Sequence, residues 1–135
     1  MRQLPAAFVL AFALAALGGC ARRAPVPDAF PETLGGWHRT AVRDLPAAQP
    51  PDPVPARPIE QIRAASYQGQ GNIEARVYAL PSPAVALDVV QRWVPRADTV
   101  FFYRDRFFVV VHWQGAPRPA VRDFLSALEK RFPAG

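Results

Sequence analysis

The sequence predicts an α+β domain: a small, largely antiparallel sheet of four strands with two helices packed on one face. Two observations lead to this fold. Between residues 59 and 135, two hairpin patterns alternate with two segments of helical periodicity, in the order strand-strand-helix-strand-strand-helix. A sheet that is apolar on one side needs helices to cover it, and placing both helices on that side is the simplest packing.

The first hairpin is predicted from residues 59–67 and 73–80, which alternate apolar and polar side chains. Residues 69–72 read Gly-Gln-Gly-Asn, a turn composition that tolerates positive φ. The alternation of the second strand points four side chains inward: Ile73, Ala75, Val77 and Ala79. It points three others outward: Glu74, Arg76 and Tyr78.

The first helix is predicted by its start, its end and its spacing. Ser82 suits the N-cap and Pro83 suits the first helical position, whereas Pro95 ends the pattern. Apolar side chains recur between these points at the spacing of one helical face: Val85, Ala86, Val89, Val90 and Trp93. A short helix is therefore expected directly after the first hairpin.

The second hairpin is predicted from residues 99–103 and 107–113, which leave its register open. A two-residue turn would place Tyr103 opposite Phe108. A three-residue turn would place Tyr103 opposite Phe107 and move it to the core face. The turn residues, Asp-Arg, favour neither arrangement strongly enough to decide.

In the two-residue register this hairpin has two apolar faces. One is wholly apolar and is assigned to the core: Val100, Phe102, Phe107, Val109, Val111 and Trp113. The other is aromatic with polar edges and needs a cover, either from the protein's own N-terminal segment and proline-rich loop or from a partner. The candidate interaction face consists of Phe101, Tyr103, Phe108 and His112, whose chemistry suits a protein or a glycan.

The closing helix is predicted over residues 120–132, and Pro133 follows it. Cations in its last turn, Lys130 and Arg131, suit the negative end of the helix dipole. Its apolar stripe has helical spacing: Val121, Phe124, Leu125, Leu128 and Phe132. This stripe is expected to complete the core of the domain.

Two segments precede the domain. Residues 30–45 are expected to pack on it through Trp37, with a strand over residues 37–42, because the core of residues 59–135 is small for independent stability. Residues 46–58 carry a proline at almost every second position, which disfavours helix and sheet alike. They predict an exposed, extended connector of polyproline type.

The N-terminus has the pattern of an export signal. Arg2 precedes an apolar run over residues 6–17, and Gly18, Gly19 and Cys20 follow it. The run is short for a helix that must cross a hydrocarbon core of about 30 Å, and its length suits a secretory signal. The sequence Leu-Gly-Gly-Cys around the chain's one cysteine resembles the lipobox of bacterial lipoproteins.

The lipobox resemblance implies that residues 1–19 are a signal peptide, cut between Gly19 and Cys20. Cys20 would then carry a covalent lipid such as palmitate, which is the only group of cofactor kind expected. Residues 20–29 form the lipidated tether, and membrane lipid is the partner of the acylated cysteine. Ala21 after the cysteine, where an aspartate would imply otherwise, implies the outer membrane, facing the periplasm.

Composition and motifs argue against several function classes. The formal net charge is +5, but the basic residues are scattered along the sequence, so no nucleic-acid partner is expected. The two histidines, His38 and His112, lack metal-ligand spacing, so no metal site is expected. No nucleophile motif or phosphate-binding loop is present, so no catalytic residue is predicted.

The segment Leu34, Gly35, Gly36 and Trp37 opens a domain that is similar to an uncharacterised family of exported bacterial proteins. Those domains alternate hairpins and helices after a Leu-Gly-x-Trp-like motif. The resemblance implies a fold and export, with no activity attached to either. The sequence departs from that pattern in residues 46–58, where a proline-rich loop replaces a polar Asn-Gly segment.

These observations leave three hypotheses about function. We expect a lipid-anchored envelope protein that acts as a non-enzymatic binding or accessory module with an envelope protein as partner. The alternative is a small periplasm-facing hydrolase or small-molecule binder with an aromatic pocket near His112. A deep cleft with a carboxylate beside His112 would favour that alternative. A purely structural lipoprotein is the third hypothesis, and it predicts neither a concave site nor an exposed aromatic patch.

Overall fold

The computed structural model describes residues 25–55 and 58–133. It has the α+β class expected from the sequence, but its antiparallel sheet contains six strands and not four. In chain order the elements are β1 (Thr33–Leu34), β2 (Trp37–Leu45), β3 (Gln61–Gly69), β4 (Gly71–Ala79), α1 (Pro83–Arg92), β5 (Thr99–Arg104), β6 (Phe107–Gln114) and α2 (Arg118–Glu129). The strand order across the sheet is β1-β2-β3-β4-β6-β5. The signal segment, Gly19 and Cys20 lie outside the described residues.

The two additional strands come from the segment that was expected to pack on the domain with a strand over residues 37–42; that strand is present, extends to Leu45 and joins the sheet, and a short strand precedes it. Gly35 and Gly36 both have positive φ, which allows the chain to reverse between β1 and β2. β2 then pairs with β3 along almost its whole length, from His38 opposite Gln68 to Leu45 opposite Ile62. A strand of nine residues was harder to foresee because most of its side chains are exposed, so it lacks a strong apolar alternation.

Trp37 anchors this segment as expected. Its side chain is buried and packs edge-to-face on Phe124 of α2, with ring centroids 6.1 Å apart. The indole Nε1 donates a hydrogen bond to the carbonyl oxygen of Ala120 at 3.3 Å. Gly69 lies directly against the indole, and a Cβ at Gly69 would come within 2.9 Å of Trp37 Cε3. The absence of a side chain at Gly69 is therefore what allows β3 to approach the tryptophan.

The second hairpin adopts the two-residue register. Tyr103 is opposite Phe108 and Phe101 is opposite Val110, so the two side-chain faces are those predicted. Asp105 takes a left-handed conformation with φ of 51°, which an aspartate tolerates better than most residues. The first hairpin and the start of α1 also agree with prediction, since Ser82 caps the helix by accepting a hydrogen bond from the Val85 N–H at 3.2 Å.

The two helices lie on opposite faces of the sheet, so the prediction that both pack on one face is wrong. Alternate residues of β6 belong to two separate cores. Phe107, Val109 and Val111 pack in the core that contains Phe124 and Leu128 of α2. Phe108 and Val110 pack in the core that contains Ala86 and Val89 of α1, together with Trp93. β6 is buried on both sides because each of its apolar faces needs its own helix.

The proline-rich loop is not the fully exposed connector expected from its composition. Asp52 and Val54 are buried, and Val54 packs on the α1 side of the sheet; residues 56 and 57 are not described. Tyr78 points away from the four inward residues of β4, as predicted, and it is fully buried on this same side. The burial of the loop and the burial of Tyr78 have one cause: the loop packs over the sheet at Tyr78 and supplies a hydrogen-bond partner for its hydroxyl.

Candidate functional site

The α1 side of the sheet changes from apolar to polar along the strands. Phe108 and Val110 of β6 are fully buried there, whereas His112, two residues further along, is only partly buried. Thr99 of β5 is the cross-strand neighbour of His112, and Glu74 of β4 is its neighbour on the other side. The alternation of three strands thus brings a set of polar side chains together at one end of this face.

Asp52, from the proline-rich loop, is the centre of this polar cluster. Its side chain is fully buried. Oδ1 accepts a hydrogen bond from Arg76 Nη1 at 3.0 Å and lies 2.9 Å from His112 Nε2. Oδ2 accepts a hydrogen bond from the Tyr78 hydroxyl at 2.5 Å, and the Tyr78 oxygen accepts one from the Asp52 N–H at 3.2 Å. We call Asp52, Arg76, Tyr78 and His112 the Asp52 cluster.

The cluster holds Asp52 ionised. Burial alone would raise the pKa of this carboxyl, but the hydrogen bonds from His112 and Tyr78 and the positive charge of Arg76 outweigh it. The result is a pKa lowered to about 2. Burial and the neighbouring carboxylate raise the pKa of Tyr78 far above its usual range, so the phenol stays a hydrogen-bond donor. For Arg76, burial opposes the charge, yet Asp52 and Glu74 raise the pKa.

Further charges balance this cluster. Glu74 Oε2 accepts a hydrogen bond from Arg76 Nη2, and Glu74 Oε1 accepts one from Arg43 Nη2, both at 2.8 Å. Two carboxylates therefore face two guanidinium groups, and the network is formally neutral apart from the imidazole. The network joins the proline-rich loop to β2, β4 and β6. Its role is therefore structural, because it holds the loop against the sheet.

His112 lies between a carboxylate and a hydroxyl, as a catalytic histidine would, but the neighbouring hydroxyl of Thr99 donates its proton to another group. Thr99 Oγ1 lies 3.0 Å from His112 Nδ1, opposite the nitrogen that faces Asp52. Thr99 also donates a hydrogen bond to the carbonyl oxygen of Ala97 at 3.1 Å. Because that bond uses the hydroxyl proton, Thr99 presents an acceptor to the imidazole in this arrangement and has no proton to give it. A cavity of about 340 Å³ borders His112 and is otherwise lined mainly by polar side chains.

The structure places the four candidate interaction residues in different environments. Phe108 is fully buried, with its ring centroid 5.1 Å from that of Trp93 and 5.8 Å from that of Phe101. Phe101 and Tyr103 are partly buried against the same core, and His112 belongs to the Asp52 cluster. Most of the aromatic surface is therefore covered by α1 and the residues that follow it. His38 is exposed on β2, and β3 and β4 separate it from His112.

A second cavity, of about 490 Å³, lies on the other side of the sheet, between α2 and the ends of β5 and β6. Three exposed arginines line it: Arg96, Arg118 and Arg122. Within residues 25–55 and 58–133 these arginines make no hydrogen bond or ion pair. The remaining lining residues are Ala97, Asp98, Thr99, Val100, Trp113, Val121 and Leu125. We call this the cationic cavity.

Sequence reasoning missed the cationic cavity because its arginines are far apart along the chain. Arg96 follows α1, whereas Arg118 and Arg122 lie one turn apart on α2. The spacing of Arg118 and Arg122 does place them on one helix face, which is a signal the sequence offered. It could not show that Arg96 joins them, because that depends on how α2 crosses the sheet.

Two further observations bear on function. Among the described residues, no group of three or more His, Cys, Asp or Glu side chains is placed to hold a metal ion. In the same part of the chain, no helix is long and apolar enough to cross a membrane. A comparison with known protein families, with curated proteins and with solved structures found no match.

Proposed function

We propose that this protein is a lipid-anchored, non-enzymatic binding or accessory module of the bacterial cell envelope, most consistent with the outer membrane and the periplasm. The anchor is argued from the Leu-Gly-Gly-Cys sequence at Cys20 and from the apolar run that precedes it. The binding role is argued from the described domain. Its ligand or partner is an envelope component that engages the cationic cavity.

One observation carries the binding role: the cationic cavity gathers charged side chains that the fold does not use. The charged groups of the Asp52 cluster pair with one another and hold the loop to the sheet. Arg96, Arg118 and Arg122 instead converge on an open cavity, and within the described residues they have no partner. Charged groups gathered without an internal partner, next to apolar surface, are typical of a recognition site.

Photo-crosslinking in intact cells tests the binding role. A photo-reactive amino acid placed at Ala97 or at Leu125, which line the cavity and leave its three arginines in place, is expected to give the same discrete adduct. Leu87, which is exposed on α1 on the opposite side of the sheet, provides the matched control. An adduct from both cavity positions and not from Leu87 would support the proposal, and mass spectrometry would identify the bound component. Equal yields from all three positions, or none from the cavity, would contradict it.

The anchor gives a separate prediction. Replacing Cys20 with serine removes the nucleophilic thiol that accepts the lipid, so metabolic labelling with an alkyne analogue of palmitate is expected to disappear. Gly19→Ala keeps a small residue before the cleavage position and is expected to label like the native protein. Labelling that persists in Cys20→Ser would contradict the anchor without bearing on the cavity, because Cys20 is the chain's one cysteine.

The hydrolase alternative keeps two observations in its favour: the imidazole of His112 is held between a buried carboxylate and a hydroxyl, and a cavity of about 340 Å³ borders it. Our proposal instead expects no hydrolysis of activated esters by the purified lipoprotein above the rate in buffer. If hydrolysis were observed and both His112→Gln and Thr99→Val abolished it without changing the unfolding transition, the alternative would replace the binding module. Val42→Ala, an exposed substitution on β2, is the control for any loss of activity caused by mutation and purification alone.

A further inference from the structure

We infer that the cationic cavity binds a phosphate monoester attached to an apolar group. This inference rests on the proposed function, because it names the chemistry of the ligand that the binding module would take. The charge of the cavity, the apolar side chains that line it and the size of the space support this ligand. A lipid head group in the membrane and a soluble phosphate ester share this chemistry, and changing the membrane composition distinguishes the two sources.

The charge of the cavity matches a dianion. Three arginines and one carboxylate, that of Asp98, line it, which leaves a formal charge of +2. A phosphate monoester carries about −1.5 to −2 at neutral pH, whereas a sulfate ester, a carboxylate or a phosphodiester carries −1. Arginine is also the side chain whose planar fork best matches phosphate oxygens, because two N–H groups can donate in parallel.

Apolar side chains line the cavity together with the arginines, and they indicate the apolar part of the ligand. Val100, Trp113 and Leu125 line the same cavity, and the Trp113 side chain is partly exposed there. An inorganic phosphate ion would leave this surface in water. An alkyl or ring group next to the phosphate would cover it and gain about 25 cal/mol for each Å² of apolar surface buried.

The size of the space favours a small molecule or a single head group. A cavity of about 490 Å³ lies within the range of pockets that bind small ligands, roughly 300–1,000 Å³. The surrounding backbone contributes in the same direction as the arginines. α2 begins at this cavity, and its N-cap, Pro117, provides no side-chain hydrogen bond to the first turn, so the partial positive charge of the helix start is left to the solvent or to an anion.

The first experiment uses the complete lipidated protein in nanodiscs of phosphatidylcholine and titrates it with octyl phosphate. Binding is measured by calorimetry and by the fluorescence of Trp113. Octyl sulfate, which has the same chain and one charge less, is the matched ligand control. We expect octyl phosphate to bind at least tenfold more tightly than octyl sulfate at pH 7.5. We also expect this preference to fall at pH 5, because the second phosphate pKa is about 6.

Variants of the protein assign the binding to the cavity. Arg122→Gln removes one guanidinium from the cavity and is expected to weaken octyl phosphate at least tenfold, the effect of losing a charged hydrogen bond. Lys130→Gln removes the same charge from an exposed position after α2 and is expected to change the affinity less than twofold. Trp113→Phe is expected to abolish the fluorescence response while calorimetry still detects binding, which shows that the signal arises in the cavity.

The two sources of the ligand are separated by changing the membrane. If a lipid head group is the ligand, nanodiscs that contain phosphatidic acid are expected to protect Trp113 from iodide quenching without added octyl phosphate, and Arg122→Gln is expected to lose that protection. If a soluble ester is the ligand, only octyl phosphate is expected to protect it. No protection by either, equal binding of octyl sulfate, or equal loss in Lys130→Gln would overturn the inference. Adducts from Ala97 and Leu125 in cells would still support a binding module with another ligand.

Discussion

Replacing Phe108 with alanine is expected to lower the free energy of unfolding by about 3–5 kcal/mol. The side chain is fully buried on the α1 side of the sheet. Its ring lies 5.1 Å from Trp93, 5.8 Å from Phe101 and 6.2 Å from Tyr78, measured between centroids. Removing it leaves a cavity among rings that cannot all move to fill the space. Urea denaturation followed by circular dichroism measures the effect.

The control for Phe108→Ala is Val42→Ala, because Val42 is 45% exposed and its truncation is expected to cost less than 0.5 kcal/mol. The result also bears on the interaction face proposed from the sequence. If Phe108→Ala left the stability unchanged and removed a crosslinked partner, Phe108 would act in recognition. A large loss of stability assigns it to the core.

Asp52→Ala is expected to have an effect of similar size, about 3–5 kcal/mol, because it breaks a buried network: Arg76 keeps only Glu74 as a counterion, and the buried Tyr78 hydroxyl loses its acceptor. The loss is expected to include the contact between the proline-rich loop and the sheet, since Asp52 bonds to Tyr78, Arg76 and His112. Asp88→Ala provides the matched control, because it deletes the same carboxylate from an exposed ion pair on α1 and is expected to cost less than about 1 kcal/mol.

The stability lent by Asp52 is also expected to depend on pH. Its pKa falls from 3.8 to about 2 in the folded protein. A carboxyl whose folded pKa is the lower one stabilises the fold above its unfolded pKa and loses that contribution as the pH falls through the folded pKa. We therefore expect about 2 kcal/mol of the stability of the native protein to be lost between about pH 4 and pH 2. An unchanged profile in Asp52→Ala would contradict this role.

The sequence was most informative where one side chain decides a local structure. Ser82 and Pro83 start α1 as predicted, because a cap and a fixed φ act within one turn. The paired positions of Tyr103 and Phe108 follow from the shorter of two turns that the sequence left open. Such features depend on neighbours along the chain, so a pattern of residues is sufficient to propose them.

The features that were misassigned or not foreseen depend on contacts between distant residues. Tyr78 lies on the outward side of β4 as its alternation predicts, but its burial was not foreseen, because the carboxylate that pairs with its hydroxyl lies 26 positions earlier. The two apolar faces of β6 were recognised, but nothing in a linear pattern decides that α1 rather than the N-terminal segment covers the second. The arrangement of Asp52 with His112 spans 60 positions and requires a proline-rich loop to fold back over the sheet.

The burial of the N-terminal segment limits the distance between the domain and a lipid anchor at Cys20. Ala29 and Phe30 are almost completely buried and Val26 packs on the same core, so the folded body begins by Val26. Only residues 21–25 separate it from Cys20. Fully extended, six Cα steps span about 20 Å, less than the thickness of the hydrocarbon core of a bilayer, about 30 Å. Under the proposed anchor this short tether keeps the domain close to the membrane. Its effective concentration at the membrane surface is therefore high, and a partner can bind it only at that surface.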